Sequence, residues 1–377
     1  MAFPTTETPQ PLYAPQRSLT PLWLLGLPIF LLLVFWLAKR RADSPLYTLR
    51  SHNSGNVVSL AFSPDGKVLA SGTVGASDSD DNGTSWEGTE VQLWDTQTAT
   101  LLHTLKGRSG ELKCIAFSPN GRVVAGGSNG TAPVDTDSEN NGRADESLFS
   151  IRLWDVRSGA LLRVIPGTRA EIHTLNFLPN RCLVTLHSLN NNVALGKTRE
   201  PGQIQPIRHI KDTDSINALA LSPDGNTIAC STWERKEVPI IHLWNAQTGR
   251  LLYTLRGHTD MVPNMVFSPD GRMLASGVAA QAPNPSEIKL WDVNSGKLIT
   301  TLNGNRAQVT CLAFAPDDKT LVNGSSDDTI KLWDVPTGQL RRTIKSGTEM
   351  DALTFTGDGK TLAGGGTDSI IKLWNIG

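Results

Sequence analysis

Cysteine is scarce in this chain of 377 residues, and its cysteines form no recognisable pair. The four cysteines are Cys114, Cys182, Cys230 and Cys311. None is part of a CxxC motif, so the spacing typical of zinc sites and of thioredoxin-like redox centres is absent. Cys114 and Cys311 occupy the same position of a repeat, in KCIAFSP and TCLAFAP, where an apolar side chain is expected. We therefore predict small buried hydrophobes rather than disulfides, which fits a reducing compartment.

Motifs of the common enzyme classes are also missing from the sequence. There is no GxSxG nucleophile elbow, no HExxH zinc motif and no glycine-rich phosphate loop. The seven histidines are scattered, and no pair of carboxylates recurs with the repeats described below. The sequence therefore predicts a protein that is not an enzyme.

Neither sign of charge is in large excess. The formal net charge is −1, and beyond residue 41 there are 31 basic and 35 acidic side chains, a net of −4. A nucleic-acid-binding surface needs a basic field. We therefore expect no nucleic-acid partner.

Long apolar runs are absent except for one, residues 21–38, which contains no charged side chain. A helix of this length spans about 27 Å, close to the thickness of the hydrocarbon core of a bilayer. Trp23 and Trp36 lie near its two ends, where indoles favour the headgroup level. The basic triplet Lys39, Arg40 and Arg41 follows directly. The run is thus predicted to be a single transmembrane helix.

Two other interpretations of the run fit the sequence less well. A cleaved signal peptide carries its basic residues before the apolar run and a small-residue cleavage site after it, and neither is found here. A buried core helix would have no packing partner among the repeats. Because basic residues stay on the cytoplasmic side, we expect a disordered tail (residues 1–20) outside. The basic linker (39–45) and the domain (46–377) are then expected in the cytoplasm.

The rest of the chain is repetitive. One unit is an apolar strand that ends in a tight turn, with proline, then aspartate or asparagine, then glycine in the order that a β-turn favours. It reads LAFSPDG, IAFSPNG, LALSPDG, MVFSPDG, LAFAPDD and LTFTGDG at 60–66, 115–121, 219–225, 265–271, 312–318 and 353–359. A second apolar strand follows each turn, as in KVLASG at 67–72.

A second unit closes each repeat with a strand that alternates apolar and polar residues and ends in Leu-Trp-Asp or Leu-Trp-Asn. Its six copies are VQLWD, IRLWD, IHLWN, IKLWD, IKLWD and IKLWN at 91–95, 151–155, 241–245, 288–292, 330–334 and 371–375. A fourth strand comes next, as in LLYTL at 251–255. Four strands joined by tight turns predict an antiparallel meander.

The pattern resembles the WD40 repeat family over Leu46–Gly377. The resemblance implies an all-β fold, a β-propeller with its blades around a central channel. A worn repeat between Trp154 and Trp244, in which Gly196 takes the place of tryptophan, brings the expected count to seven blades. The chain enters with an outer-strand sequence (46–50) and ends on a third strand (371–375). We therefore expect the first strand to complete the last blade and close the ring.

WD40 blades often contain a buried hydrogen-bonded set of tryptophan, serine or threonine, histidine and aspartate. The resemblance assigns such structural roles, with no blade containing all four, to His52, Ser71, Trp94, Trp154, Trp244, His258, Ser276, Trp291, Asp327, Trp333, Asp368 and Trp374. Both histidines are interpreted as donors within a blade, not as catalytic bases or metal ligands.

Two long insertions, residues 72–90 and 127–150, follow the second strands of the first two blades. They are interpreted either as solvated loops or as calcium hairpins, because alternating oxygen ligands with a glycine at the bend suit a hard cation. The calcium interpretation would use Asp78, Asp80, Asn82, Asp137, Glu139, Asn141 and Asp145. Apart from this calcium, no cofactor is expected.

The insertion-bearing end of the blades is also where a partner is expected, because a rigid scaffold usually presents its binding residues on loops. Trp86 and Trp233 lie outside the repeating tryptophan set, so each either anchors a partner or covers the core beneath its own loop. The candidate contact residues are Trp86, Trp233, Glu87, Glu90, Asp135 and Glu146. The function predicted is a membrane-anchored scaffold for a membrane protein complex; the alternative is a calcium-stabilised ligand-binding propeller outside the membrane.

Overall fold

The structure is a computed structural model. It describes residues 43–50, 55–74, 77–78, 85–86, 90–106, 111–129, 149–166, 171–178, 182–189, 192–199, 203–211, 216–232, 238–279, 286–305 and 307–377. The chain divides into two compact units, Met1–Ser44 and Pro45–Gly377, and every described strand lies in the second.

The strands of the second unit form seven four-stranded antiparallel sheets, the blades. Blade 1 consists of β2 (Val57–Phe62), β3 (Val68–Thr73), β6 (Glu90–Asp95) and β7 (Leu101–Lys106). Blade 2 consists of β8 (Glu111–Phe117), β9 (Val123–Asn129), β10 (Phe149–Asp155) and β11 (Leu161–Pro166). Blade 3 consists of β12 (Glu171–Phe177), β13 (Leu183–Leu189), β14 (Asn192–Arg199) and β15 (Gln203–Lys211). Blade 4 consists of β16 (Ile216–Leu221), β17 (Thr227–Thr232), β18 (Ile240–Asn245) and β19 (Leu251–Arg256).

The remaining three blades repeat this arrangement. Blade 5 consists of β20 (Asn264–Phe267), β21 (Met273–Gly277), β22 (Ser286–Asp292) and β23 (Leu298–Asn305). Blade 6 consists of β24 (Val309–Phe314), β25 (Thr320–Ser325), β26 (Thr329–Asp334) and β27 (Gln339–Lys345). Blade 7 consists of β28 (Met350–Phe355), β29 (Thr361–Gly366), β30 (Ile370–Asn375) and β1 (Tyr47–Arg50).

The turn between the first two strands of a blade is stabilised by its own side chains. In blade 1 the Ser63 hydroxyl donates to Asp65 Oδ1 at 2.6 Å, and the Gly66 amide donates to the Ser63 carbonyl at 2.8 Å. Gly66 has φ +71°, a conformation that glycine adopts without a steric penalty. These contacts explain why the same short sequence recurs from blade to blade.

Ring closure occurs as predicted from the order of the repeats. β1 pairs antiparallel with β30, with Tyr47 opposite Leu373 and Leu49 opposite Ile371. The first strand of the domain is therefore the outer strand of its last blade. Pairing the two ends of the domain removes the open edge that blade 7 would otherwise present.

The core consists of one apolar cluster at each contact between neighbouring blades, seven in all within the described residues. Each third-strand tryptophan faces the preceding blade, as Trp333 of blade 6 does in sharing a cluster with Ile288 and Leu302 of blade 5. The leucine beside the tryptophan faces the following blade. Both faces of these strands are therefore buried, unlike those of an open sheet with one solvated face.

Blade 3 confirms the worn repeat. It has four strands like its neighbours. Gly196 of β14, which pairs with Thr185 of β13 and Pro206 of β15, takes the position where other blades have tryptophan. Among its described residues, the cluster between blades 2 and 3 contains no tryptophan. All four cysteines are buried and none of them forms a disulfide, as expected from the positions of Cys114 and Cys311 in the repeats.

Antiparallel order gives each blade two distinct ends. The turns between strands 1 and 2 and between strands 3 and 4 lie at one end, here named the turn face. The loops between strands 2 and 3 and the connections between blades lie at the other, here named the insertion face. Within the described residues no helix is long or apolar enough to cross a membrane, and the predicted span (21–38) lies outside them.

Candidate functional site

The two insertions lie on the insertion face of adjacent blades. One connects β3 to β6 and the other connects β9 to β10. The first contains a small hairpin of β4 (Ser77–Asp78) and β5 (Ser85–Trp86), in which Ser77 pairs with Trp86. Glu90 begins β6 and is partly buried. The fold therefore places Trp86 and Glu90 on the same insertion.

Several predicted residues lie outside the described part of the chain. They are Trp23, Trp36, Lys39, Arg40, Arg41, His52, Asp80, Asn82, Glu87, Asp135, Asp137, Glu139, Asn141, Asp145, Glu146 and Trp233. Asp78 lies in β4. Among the described residues, no group of three or more histidine, cysteine or acidic side chains is arranged to hold a metal ion.

Blade 5 contains a connected hydrogen-bond network around Ser276. The Trp291 indole N–H donates to the Ser276 hydroxyl at 2.8 Å, and His258 Nε2 lies 2.6 Å from the same oxygen. On the other side of the ring, His258 Nδ1 lies 3.2 Å from Glu287 Oε1. Lys289 Nζ donates to Glu287 Oε2 at 3.0 Å. Glu287 thus takes the acidic position in the network. The family pattern has aspartate at that position, so the pattern does not identify Glu287.

The network fixes the protonation of His258. The side chain is 2% exposed, and burial lowers the pKa of the imidazole to about 4, against the opposing charge of Glu287. The ring is therefore neutral at neutral pH. Because the Glu287 carboxylate accepts, the ring proton lies on Nδ1, and Nε2 accepts from the Ser276 hydroxyl. A neutral imidazole with both nitrogens engaged is suited to holding a blade together, not to base catalysis.

The other blades use parts of this network. In blade 1 the Trp94 indole donates to Ser71 at 2.9 Å. In blade 6 the Trp333 indole donates to Asn323 Oδ1 at 2.7 Å, so its acceptor is not Asp327. Trp154 is buried at the contact between blades 1 and 2. Among the described residues, the indole nitrogens of Trp244 and Trp374 have no hydrogen-bond partner.

Asp327 and Asp368 have a different role from the one the family pattern implies. Lys331 Nζ lies 3.4 Å from Asp327 Oδ2, and Lys372 Nζ lies 3.2 Å from Asp368 Oδ2. Both lysines lie two residues before the tryptophan, and Lys331 is only 6% exposed. The aspartates thus pair with a lysine on the third strand, buried for Lys331 and partly buried for Lys372, instead of bonding to the indole.

The described residues also line a groove of about 500 Å³ on the turn face, where blade 7 meets blade 1. Its lining includes the exposed apolar side chains of Leu46 and Tyr47 and the carboxylates of Asp65 and Asp358. The sequence alone shows that glycine replaces the turn proline at position 357. Which residues line the groove together with Gly357 follows only from the order of the blades in the ring.

The protein-family comparison matches the description "WD domain, G-beta repeat". The matched segments are 43–83, 99–134, 204–236, 249–292, 296–334 and 338–375, together more than half of the chain. The chain belongs to the WD40 family. Blade 3 accounts for much of the unmatched stretch, in keeping with its missing tryptophan.

Relatives of this WD40 protein are distant and longer. It is 26% identical to "Nuclear distribution protein PAC1" of Coccidioides posadasii over 188 residues, 48% of this chain and 35% of that protein. It is 26% identical to "Autophagy-related protein 16" of Arabidopsis thaliana over 195 residues, 50% of this chain and 32% of that protein. It is 24% identical to "Periodic tryptophan protein 2" of Arabidopsis thaliana over 236 residues, 55% of this chain and 24% of that protein. The chain spans about a third or less of their length.

Proposed function

We propose that this WD40 protein is a membrane-anchored interaction scaffold that assembles or stabilises a membrane-associated protein complex through its insertion face. The observation that carries the proposal is the placing of both long insertions on one end of two adjacent blades. WD40 propellers in general bind proteins and are not enzymes. The shared architecture supports a binding role, and the insertions indicate where the partner docks.

The membrane part of the proposal rests on sequence alone. The uncharged run at 21–38 and the basic triplet after it favour a single-pass anchor with the propeller in the cytoplasm. Tethering of this kind raises the concentration of the propeller near partners in the same membrane. Labelling cysteines introduced at position 5 and at the exposed Gln97 with a membrane-impermeant reagent tests the orientation. Labelling of the Gln97→Cys variant in intact cells would show the opposite orientation, with the propeller outside the membrane.

Partner capture tests the scaffold. The full chain is purified from gently solubilised membranes beside a variant in which residues 75–88 and 131–147 are replaced by short turns. The strands that flank both insertions remain in the variant, and its folding is checked by its thermal transition. We expect defined membrane partners that are lost with the insertions. Equal recovery of the same partners by the folded variant would reject the insertion face as the docking site.

The variant without the insertions also tests whether they bind calcium. If Asp78 and the other acidic residues of the insertions hold calcium, chelation lowers the thermal midpoint of the wild type and leaves the variant unchanged. Such a result, together with external labelling, would favour the ligand-binding alternative over the scaffold.

A further inference from the structure

The groove at the contact between blades 7 and 1 exists because the repeat is broken there. At three other contacts a proline of the first turn packs against the turn glycine of the next blade. Pro64 Cδ would lie 3.5 Å from a Cβ on Gly121, and Pro316 Cδ would lie 3.5 Å from one on Gly359. Blade 7 has Gly357 at the proline position. Since the pyrrolidine ring is missing at this contact alone among the described turns, the space it would fill is open.

A second break in the pattern widens the groove. Tyr253, on the outer strand of blade 4, lies over Gly296 of blade 5 and donates to the Asn294 carbonyl at 2.5 Å. A Cβ at Gly296 would come within 2.6 Å of the Tyr253 ring. Tyr47 holds the corresponding position on blade 7, and the position equivalent to Gly296 on blade 1 is Ala99, which already has a Cβ. Tyr47 therefore cannot lie as close, and its side chain is 40% exposed.

The charged side chains that line the groove are acidic, and Lys67 and Lys360 lie near them just outside the lining. Among its described lining residues the charged ones are Asp65 and Asp358. Hydrogen bonds from Ser63 and from Thr356 hold the pKa of the two carboxyls below its usual range, so both are ionised at neutral pH. In each turn it is Oδ1 that accepts these bonds. Oδ2 is left able to accept from a ligand.

The chemistry of the lining identifies the ligand class. Two carboxylates suit a guanidinium or ammonium group, and an exposed tyrosine ring beside them favours a cation over its face. Leu46, which is 53% exposed, adds apolar surface for an aliphatic neighbour. A volume of about 500 Å³ is enough for a few side chains. We infer that this groove binds a short segment of a partner protein in which an arginine or lysine lies next to aliphatic residues.

This site goes beyond the proposed scaffold function, because it lies on the turn face, away from the insertions. Its test is also separate. The full chain in mild detergent is titrated into a fluorescent pool of blocked hexapeptides, each with one arginine between aliphatic residues. A second pool carries citrulline in place of arginine, and fluorescence anisotropy reports binding.

Three variants locate the binding. Asp65→Asn combined with Asp358→Asn removes both charges but keeps the turns, since Asn120 Oδ1 accepts the Ser118 hydroxyl in the same turn of blade 2. Gly357→Pro restores the missing ring; its Cβ would lie 3.3 Å from the Pro64 carbonyl oxygen, which a small shift of the turn relieves. Asp224→Asn, in the turn of blade 4, is the matched control. A thermal transition confirms that each variant is folded.

We expect the arginine pool to bind, and both the citrulline exchange and the double asparagine variant to weaken binding about tenfold, as two partly exposed charge-assisted contacts would. Gly357→Pro should reduce binding similarly, and Asp224→Asn should have no effect. Absence of binding to the arginine pool, equal binding of the citrulline pool, or full binding by Gly357→Pro would overturn the inference. Partner capture through the intact insertions is unaffected by these changes, so failure here leaves the scaffold proposal standing.

Discussion

His258 Nε2 and the Ser276 hydroxyl oxygen lie 2.6 Å apart in blade 5, and both side chains are almost fully buried. The contact joins a residue of the connection between two blades to the second strand of the blade that follows. It thereby fixes the connection on the insertion face to the sheet. Because the same oxygen also accepts the Trp291 indole N–H, one hydroxyl satisfies two buried polar groups.

Removing this hydroxyl should be costly. Ser276→Ala leaves the Trp291 donor and the His258 acceptor buried without a partner, and each such group costs about 1–3 kcal/mol. We expect the free energy of unfolding to fall by about 2–3 kcal/mol, as measured by urea denaturation. Trp291→Phe in the same background is the control. Since the indole partner is already lost, the second change should cost less there than in the wild type, and strict additivity would contradict the network.

Acid should weaken the fold through His258. Its pKa in the folded protein is lowered to about 4 from 6.5, chiefly by burial, so between these values the unfolded chain binds more protons. The free energy of unfolding then decreases as the pH falls from 6.5 to 4 and loses no more below that, by about 3 kcal/mol at most. Urea midpoints measured across this range should show a shallower slope for His258→Gln than for the wild type. An unchanged slope would reject a buried neutral imidazole.

Asp351 should change the stability with pH in the direction opposite to His258. Burial, together with the neighbouring charge of Glu349, raises its pKa to about 6. Between pH 3.8 and 6 the folded protein therefore binds more protons at this group, and its contribution to stability is lost as the pH rises. Asp351→Asn removes that term, so we expect it to stabilise the protein at pH 7 and to steepen the acid-side loss due to His258. No stabilisation at pH 7 relative to pH 4 would contradict this assignment.

The sequence was sufficient for the architecture because the repeat encodes it locally. A turn such as Ser63–Gly66 is stabilised by its own side chains, and the alternation around Trp94 assigns one face to each neighbouring blade. The groove could not be predicted in this way. Gly357 and Ala99 are visible as single departures in the sequence, but they lie more than 250 positions apart and reach the same contact between blades 7 and 1 only when the ring closes. Glu287 was missed because a longer acid replaces the expected aspartate.

Ala99 provides a test of backbone strain at the ring closure. It has φ +58°, whereas the equivalent position in blade 5 is Gly296, at φ +66°. A β-carbon in this conformation costs about 1 kcal/mol, so Ala99→Gly should raise the free energy of unfolding by a similar amount. The reverse change, Gly296→Ala, should destabilise by more, since its Cβ would meet the Tyr253 ring at 2.6 Å. If the two changes alter the free energy of unfolding equally and with opposite sign, backbone strain alone accounts for both, and the contact with the Tyr253 ring contributes nothing.

Closure of the ring by β1 should contribute strongly to stability. Leu49 is 3% exposed and packs in the cluster shared by blades 7 and 1, with Val57 and Ile371 among its members. Leu49→Ala creates a cavity at this contact and should cost about 2–4 kcal/mol. Leu46→Ala, three residues earlier in the same segment, is the control, because Leu46 is 53% exposed and little area is lost. If the two variants unfold at the same urea concentration, the first strand does not hold the ring closed.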